Sequence, residues 1–315
     1  MKIIQNKSAN YTLTIGGILI LFVLPKILGD SWTGVVTEML IMALAATSLN
    51  ILVGYCGVVS FGHAGFFAVG AYSYSLLMYY NVVPFGISLI GAFVFSGFFA
   101  LICGYFCVKM VEVYFALLAL AFSQIIYVVI HSWYGFTKGD DGLTGVPSPE
   151  WLLSINNCYW FVLVVVLFCL ILIRIITLSS FGGAIKAMRE NKDRVEFVGV
   201  NPRKYLLIAF VISGAFMGMA GGLMSVFMRS AFPSFASFFK SGEFLLVCLM
   251  GGVHSFLGPS VGAAIYLFLD KTLSQHTEYW SLVLGFFLVL ITLFLRGGFG
   301  GFLEERFRRI FIKGA

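Results

Sequence analysis

The sequence predicts an all-α membrane protein, a polytopic transmembrane helical bundle of about ten spans. Three observations carry that prediction: an apolar excess too large to bury, a series of apolar runs of membrane-crossing length, and basic residues gathered between alternate runs. Of the 315 residues, 60% are hydrophobic and 11% charged, with a mean hydropathy of +0.99. A soluble chain is nearer half apolar and a quarter charged. A fold of this length has too much surface for its volume to hide the difference, so lipid must cover it. The 34 Phe and 35 Gly agree, since Phe faces lipid cheaply and Gly lets helix backbones approach each other.

A helix needs about 20 mostly apolar residues to cross the hydrocarbon core. Measured that way, span 1 is Tyr11–Leu28, span 2 Thr33–Val53, span 3 Gly57–Tyr80, span 4 Pro84–Val108 and span 5 Val113–Trp133. A polar loop, Tyr134–Asn156, precedes span 6, Asn157–Thr177. A charged segment, Leu178–Arg203, precedes span 7, Lys204–Met228. Spans 8 and 9, Gly242–Val253 and Gly258–Asp270, are short and read as half-helices, re-entrant segments or spans extended by polar residues. Span 10 is Tyr279–Leu295. Span 1 follows Lys2 and Lys7 like a secretory leader, but meets Pro25-Lys26 rather than a small-residue cleavage site, and reads as an uncleaved helix.

Ten spans put both termini on one side. With that topology 15 of the 20 Lys and Arg fall on one side: Lys2, Lys7, Lys109, those from Arg174 to Lys204, and those from Arg296 to Lys313. The other 5 are Lys26, Lys138, Arg229, Lys240 and Lys271. The positive-inside rule makes the richer side, with both termini, cytoplasmic. Basic residues placed beside apolar spans serve topology, so the net charge of +6 does not point to nucleic acid. The chain reads as one domain, 1–315.

No G-x-x-x-x-G-K-[ST] phosphate cradle occurs, no Arg ladder and no H-E-x-x-H. The six cysteines lie mostly in apolar runs without a C-x-x-C pair, so neither a disulfide framework nor a metal site is expected. In the charged segment, Ser180 can cap a short helix that Gly199 ends. Ala184, Ile185 and Met188 form its apolar stripe, while Lys186, Arg189, Glu190 and Asp193 form its polar face. Such a helix can dock on a partner or lie on the bilayer; the other reading is a plain solvated loop. Asn50, Ser60 and His63 lie in a Gly-rich apolar stretch and need partners inside the bundle, either substrate or neighbouring helices. Glu38, an acid inside span 2, is either functional or snorkels to the outer surface. Gly214, Gly218 and Gly222 recur every fourth residue, a close-packing stripe between helices. The loop Thr137–Pro147 is a run of turns that either meets a soluble partner or only turns.

Four stretches, taken together in order, resemble the permease subunits of high-affinity branched-chain amino acid ABC importers, the LivM type. They are Gly54-Tyr55 through Ser60, Gly62-His63-Ala64 and Phe66-Phe67 to Gly70-Ala71-Tyr72; Asp141-Gly142-Leu143-Thr144-Gly145-Val146-Pro147; Phe181-Gly182 through Ala187-Met188-Arg189-Glu190-Asn191 to Gly199-Val200; and Met250-Gly251-Gly252 to Gly258-Pro259 and Gly262-Ala263. Val58, Gly183 and Gly297 depart from the family's usual residues.

The resemblance implies a ten-helix type II-like importer permease in a bacterial inner membrane, not itself an enzyme. Its partners would be a second homologous permease, two cytoplasmic ABC ATPase subunits that hold ATP and Mg, and a periplasmic solute-binding protein. No cofactor is expected on this chain. The coupling segment, near 178–203, would dock on an ATPase through Phe181, Gly182, Ala187, Met188, Arg189, Glu190, Asn191 and Gly199, beside a cytoplasmic tail near 296–315. Glu38, Asn50, Ser60, His63, Phe66 and Phe67 are the candidate pathway residues, and the pathway would lie between the two permeases. Urea and short-amide permeases are near relatives. An ion-coupled secondary carrier, with Glu38 and His63 as its coupling pair, is the alternative of a different class; a lipid-active membrane enzyme would need convergent catalytic groups that the sequence does not show.

Overall fold

A computed structural model describes residues 29–276 continuously, with Phe22, Pro25, Tyr279, Leu282, Val283, Gly285, Phe286 and Gly298 beyond them. Most of spans 1 and 10 and the tail near 296–315 therefore lie outside the described residues. Numbered from the first fully described helix, α1 is Asp30–Asn50 and continues as a π-helical turn, Ile51–Cys56. Then come α2, His63–Tyr79; α3, Phe85–Cys107; α4, Glu112–Ser132; and α5, Tyr134–Thr137. Strand β1, Leu143–Thr144, precedes α6, Ile155–Leu178, and the short pair α7, Ser180–Glu190, and α8, Lys192–Phe197. Helix α9 is Pro202–Met228, β2 is Ser230–Ala231, α10 is Phe238–Gly251 and α11 is Gly258–Ser274.

Five stretches among the described residues are long and apolar enough to cross a membrane: Asp30–Cys56, Phe85–Cys107, Val113–Ser132, Ile155–Leu178 and Pro202–Met228. They sort into two layers. The most apolar stretch of α1 is 89% buried and that of α9 72%, against 28% for α3. Helices α3, α4 and α6 thus form an outer wall that presents Ile, Val, Phe and Leu outward, as lipid requires. Helices α1 and α9 are the core.

Helix α9 is small on two faces, and those faces decide the packing. A side-chain carbon added at Gly214, Gly218 or Gly222 would strike Ala100, Ser96 or Ala92 of α3. Gly70 of α2 lies against the Gly218 backbone, and Gly221 lies against the Phe67 carbonyl. Hydroxyls fasten the contact. Ser96 Oγ donates within reach of Gly214 O (2.8 Å) and Phe66 O (3.0 Å), and Ser75 and Ser225 hydrogen-bond across α2 and α9.

Two expectations change. Span 3 is helical only from His63. Gly57 adopts a left-handed φ of 72°, and residues 57–62 run without helical bonding. Gly62 lies against Ala119, mid-way along α4, so this irregular backbone sits at membrane depth under protein cover. Span 8 takes its half-helix reading, and the second change concerns the lysines beside spans 8 and 9. Helix α10 is led in by a buried 3-10 turn, Pro233–Ala236, whose Ala236 carbonyl lies 3.4 Å from Ser123 Oγ, again mid-way along α4. Its 14 residues reach about 21 Å, short of the roughly 30 Å core. Lys240 and Lys271, expected in outer loops, lie on α10 and α11 in ion pairs.

The polar loop is pinned rather than merely turned. Strands β1 and β2 pair antiparallel, Leu143 opposite Ala231 and Thr144 opposite Ser230, and Val146 N–H donates to Arg229 O at 3.0 Å.

Gly218→Leu should abolish folding, because the added side chain meets Ser96 and the Ala92 carbonyl, where overpacking costs several kcal/mol. Gly183→Ala, on the open face of α7, should leave the fold intact. The monodisperse fraction in detergent, by size exclusion, checks both.

Candidate functional site

Two places gather the polar groups singled out in the sequence. The first is a buried relay at mid-depth. His63 opens α2, and its Nδ1 lies 2.9 Å from Ser60 Oγ while its Nε2 lies 2.8 Å from Ser213 Oγ of α9. Ser213 donates its proton to Ser48 O of α1 at 2.6 Å. That proton being committed, Nε2–H must donate to Ser213, while Nδ1 pairs with the Ser60 hydroxyl. One hydrogen-bonded line ties the loop 57–62, α2, α9 and α1 together. Phe66 and Phe210 stand edge-on around the ring, at centroid distances of 5.5 and 5.8 Å. Phe67 packs on Phe235 and Phe244 of the broken segment opposite. Asn50, Ser60, His63, Phe66 and Phe67 are all buried within this one subunit.

Glu38 is elsewhere. It pairs with Lys271 of α11 at 3.4 Å. Ser48, where the His63 relay ends, is about 15 Å further along α1. Glu38 and His63 therefore do not form the pair that an ion-coupled carrier would need.

The second place is a clasp at the opposite end of α1. Arg189, on the last turn of α7, is exposed but lays its guanidinium against the subunit. Its Nη1 donates to Gly54 O of the π-helical turn at 2.6 Å, and its Nη2 donates to His254 Nδ1 at 3.1 Å. Gly57 leaves just the room that the Arg189 stem fills. Lys186 Nζ sits 4.9 Å from the Tyr55 ring, and Arg174 lies 4.9 Å from the Phe256 ring. Asn50 closes the clasp from within: its Nδ2 reaches Ser255 O at 3.5 Å, and Cys248 Sγ donates to its Oδ1 at 3.4 Å. The segment 252–257, the π-helical turn and α7 are thereby one mechanical unit.

The charged segment is two helices, not one. Ser179, not Ser180, occupies the cap position of α7, and its hydroxyl donates back to Ile176 O at 2.7 Å. Asn191 is extended (φ −160°) and caps α8 by accepting from Arg194 N–H at 2.9 Å. Gly199, with φ 89°, follows α8. Gly182, Ile185 and Met188 are buried, while Ala187, Glu190 and Asn191 are exposed and Phe181 stacks on Tyr205. Beside them stand Phe197 and Val198, 91% and 83% exposed. Sequence reading passed over these two; a bare aromatic next to a Gly-terminated helix was the available signal.

A multi-helix membrane subunit with broken elements at mid-depth and an exposed amphipathic helix pair clasped to its core defines the class of a transport permease. Residues 31–292 match the family described as branched-chain amino acid transport system / permease component, and the chain belongs to that family. Among its relatives, the LivM permease protein of the high-affinity branched-chain amino acid transport system of Escherichia coli K12 is 25% identical over 294 residues, covering 85% of this chain and 69% of the relative. The Salmonella typhimurium LivM protein is 26% identical over 284 residues, 82% of this chain and 67% of that one. The LivH permease protein of Salmonella typhimurium is 22% identical over 281 residues, 82% of this chain and 91% of LivH. No solved structure matches the chain significantly.

His63→Phe keeps the ring but strands the Ser60 and Ser213 groups, at a cost of about 1–3 kcal/mol for each buried polar group left unpaired. Its thermal unfolding midpoint in detergent should fall by several degrees, and His63→Gln, which can still donate and accept, should fall less. An unchanged midpoint for His63→Phe would contradict the relay.

Proposed function

We propose that this chain is the LivM-type permease of an ABC importer that carries branched-chain amino acids across a bacterial inner membrane. The observation that carries the reading is the Arg189 clasp, because it joins an exposed, cytoplasm-type amphipathic segment to the inner end of the most buried helix. One of two partner ATPases, which hold ATP and Mg, docks on α7 and α8 through Ala187, Glu190, Asn191, Phe197 and Val198. Gly182 and Met188, buried under this surface, hold it to the bundle, and Arg189 passes its movement to the π-helical turn. π-helical turns recur at functional sites because they insert one residue into the helical ladder and leave it locally adjustable.

The rest of the assembly follows from the same reading. Ten spans, with span 1 and span 10 flanking the described region, leave both termini in the cytoplasm. The basic residues favour this: Lys186 and Arg189 gather at the Tyr55 end, and Arg229 at the end of the pinned loop 134–156. That loop faces a periplasmic binding protein. A second, homologous permease completes the pathway, and the chain itself binds no cofactor and hydrolyses nothing.

Co-expression with a candidate partner permease and ATPase pair tests this. A stable complex should form whose ATP hydrolysis rises when leucine-loaded binding protein is added, and uptake of valine or isoleucine should compete. A chain that purifies alone and transports without ATP would overturn the reading. A complex stimulated only by urea or a short amide would overturn the substrate.

A further inference from the structure

The relay and the clasp leave one polar cluster unused. On α10, Lys240 Nζ pairs with Glu243 at 2.8 Å; between α11 and α1, Lys271 Nζ pairs with Glu38 at 3.4 Å. Asp270 lies within electrostatic reach of Lys271, Glu38 and Lys240, yet forms no ion pair among the described residues. Tyr266 is only 9% exposed and lies within electrostatic reach of Glu243, Asp270 and Glu38.

Depth makes this arrangement informative. Helices α10 and α11 pack antiparallel, Gly251 against Gly258 and Gly262 against the Val247 carbonyl, at the clasp end. Counting from there, Lys240 and Asp270 stand about 16 and 18 Å up their helices, within the reach of a hydrocarbon core about 30 Å thick. Charge at that depth does not face lipid. The ion-paired side chains are nevertheless 18% to 38% exposed, so this face opens on a passage or on a covering subunit. Three carboxylates against two ammonium groups leave a site short of one cation. On the same face of α10, Phe239 and Leu246 flank Glu243 at one turn's spacing and are exposed, which offers apolar surface beside the charge.

We propose that Tyr266, Glu243, Asp270 and Glu38 receive the α-ammonium group of a passing amino acid. Lys240 and Lys271 are placed for its carboxylate, and Phe239 and Leu246 for its apolar side chain. The inference rests on the permease reading above and deepens it. It puts the passage on the α1, α10 and α11 face, away from the buried His63 relay.

Asp270→Asn and Tyr266→Phe, in the assembled importer in proteoliposomes with leucine-loaded binding protein, test it. Leucine uptake per ATP hydrolysed should fall about tenfold in Asp270→Asn and less in Tyr266→Phe, the scale of a lost hydrogen bond to a charged group. Complex yield and stimulated hydrolysis should stay within twofold of the parent. Unchanged uptake in both variants would overturn the site and leave the permease reading standing. Loss of assembly together with hydrolysis in Tyr266→Phe would assign the cluster a structural role and overturn the site too; if only Asp270→Asn fails to assemble, Tyr266→Phe decides. A parent complex that ignores every amino acid would overturn both readings.

Discussion

The structure depends on one constraint: backbone polar groups at membrane depth must find partners in protein, because lipid offers none. Two segments among the described residues interrupt the α-helices there: 57–62, without helical bonding, and 232–237, built around a 3-10 turn. Both are covered by α4, through Ala119 and Ser123, and the helices that follow them meet where Ser241 Oγ accepts from the Ala64 N–H at 3.2 Å. Cover of that kind requires helices at backbone contact, which is what Gly70, Gly218 and Gly221 allow. The His63 relay then acts as a staple, its hydrogen bonds strengthened by the dry surroundings.

Once α2 and α10 begin at mid-depth, the ends of α1 and α10 acquire different jobs from the rest of the bundle. The centre is close-packed, held by Gly contacts and by the hydrogen-bonded hydroxyls of Ser75, Ser96, Ser213 and Ser225. The clasp end is adjustable: a π-helical turn, a left-handed Gly57, a short loop at 252–257 and a single guanidinium bridging them. Arg suits that position because its fork serves two acceptors on different segments at once. In the proposed importer, force applied at α7 reaches α1 through this guanidinium and reaches α10 through the same loop. The passage-facing charges on α10 and α11 lie at the far end of that lever.

Hydropathy made the continuous helices legible. Spans 4 to 7 match α3, α4, α6 and α9 within a few residues, because each is an uninterrupted apolar run between polar loops. It misread Gly57–Gly62, where Val58, Val59 and Phe61 keep the run apolar while the backbone leaves the helix; hydropathy reports solvent, not φ. The short length of spans 8 and 9 was a true signal, and their half-helix option describes α10. It also explains the misplaced lysines: Lys240 and Lys271 stand at the edges of short apolar runs, which in a full-length span would mean the surface. The acid in span 2 was legible, but its partner Lys271 is 233 positions away in the chain and could only be found by folding it. The turn of the Arg189 guanidinium was hidden for the same reason, since one acceptor is the Gly54 carbonyl, which leaves no trace in composition, and the other is His254, 65 positions away.

The central claim is that Arg189 transmits motion between the ATPase-facing helices and the pathway. Uptake and ATP hydrolysis measured together on Arg189→Ala in the reconstituted importer test it most directly. The account predicts a complex that assembles and hydrolyses ATP but imports leucine at about a tenth of the parent's ratio per ATP or less, since two charge-assisted hydrogen bonds are lost. An unchanged ratio would contradict it.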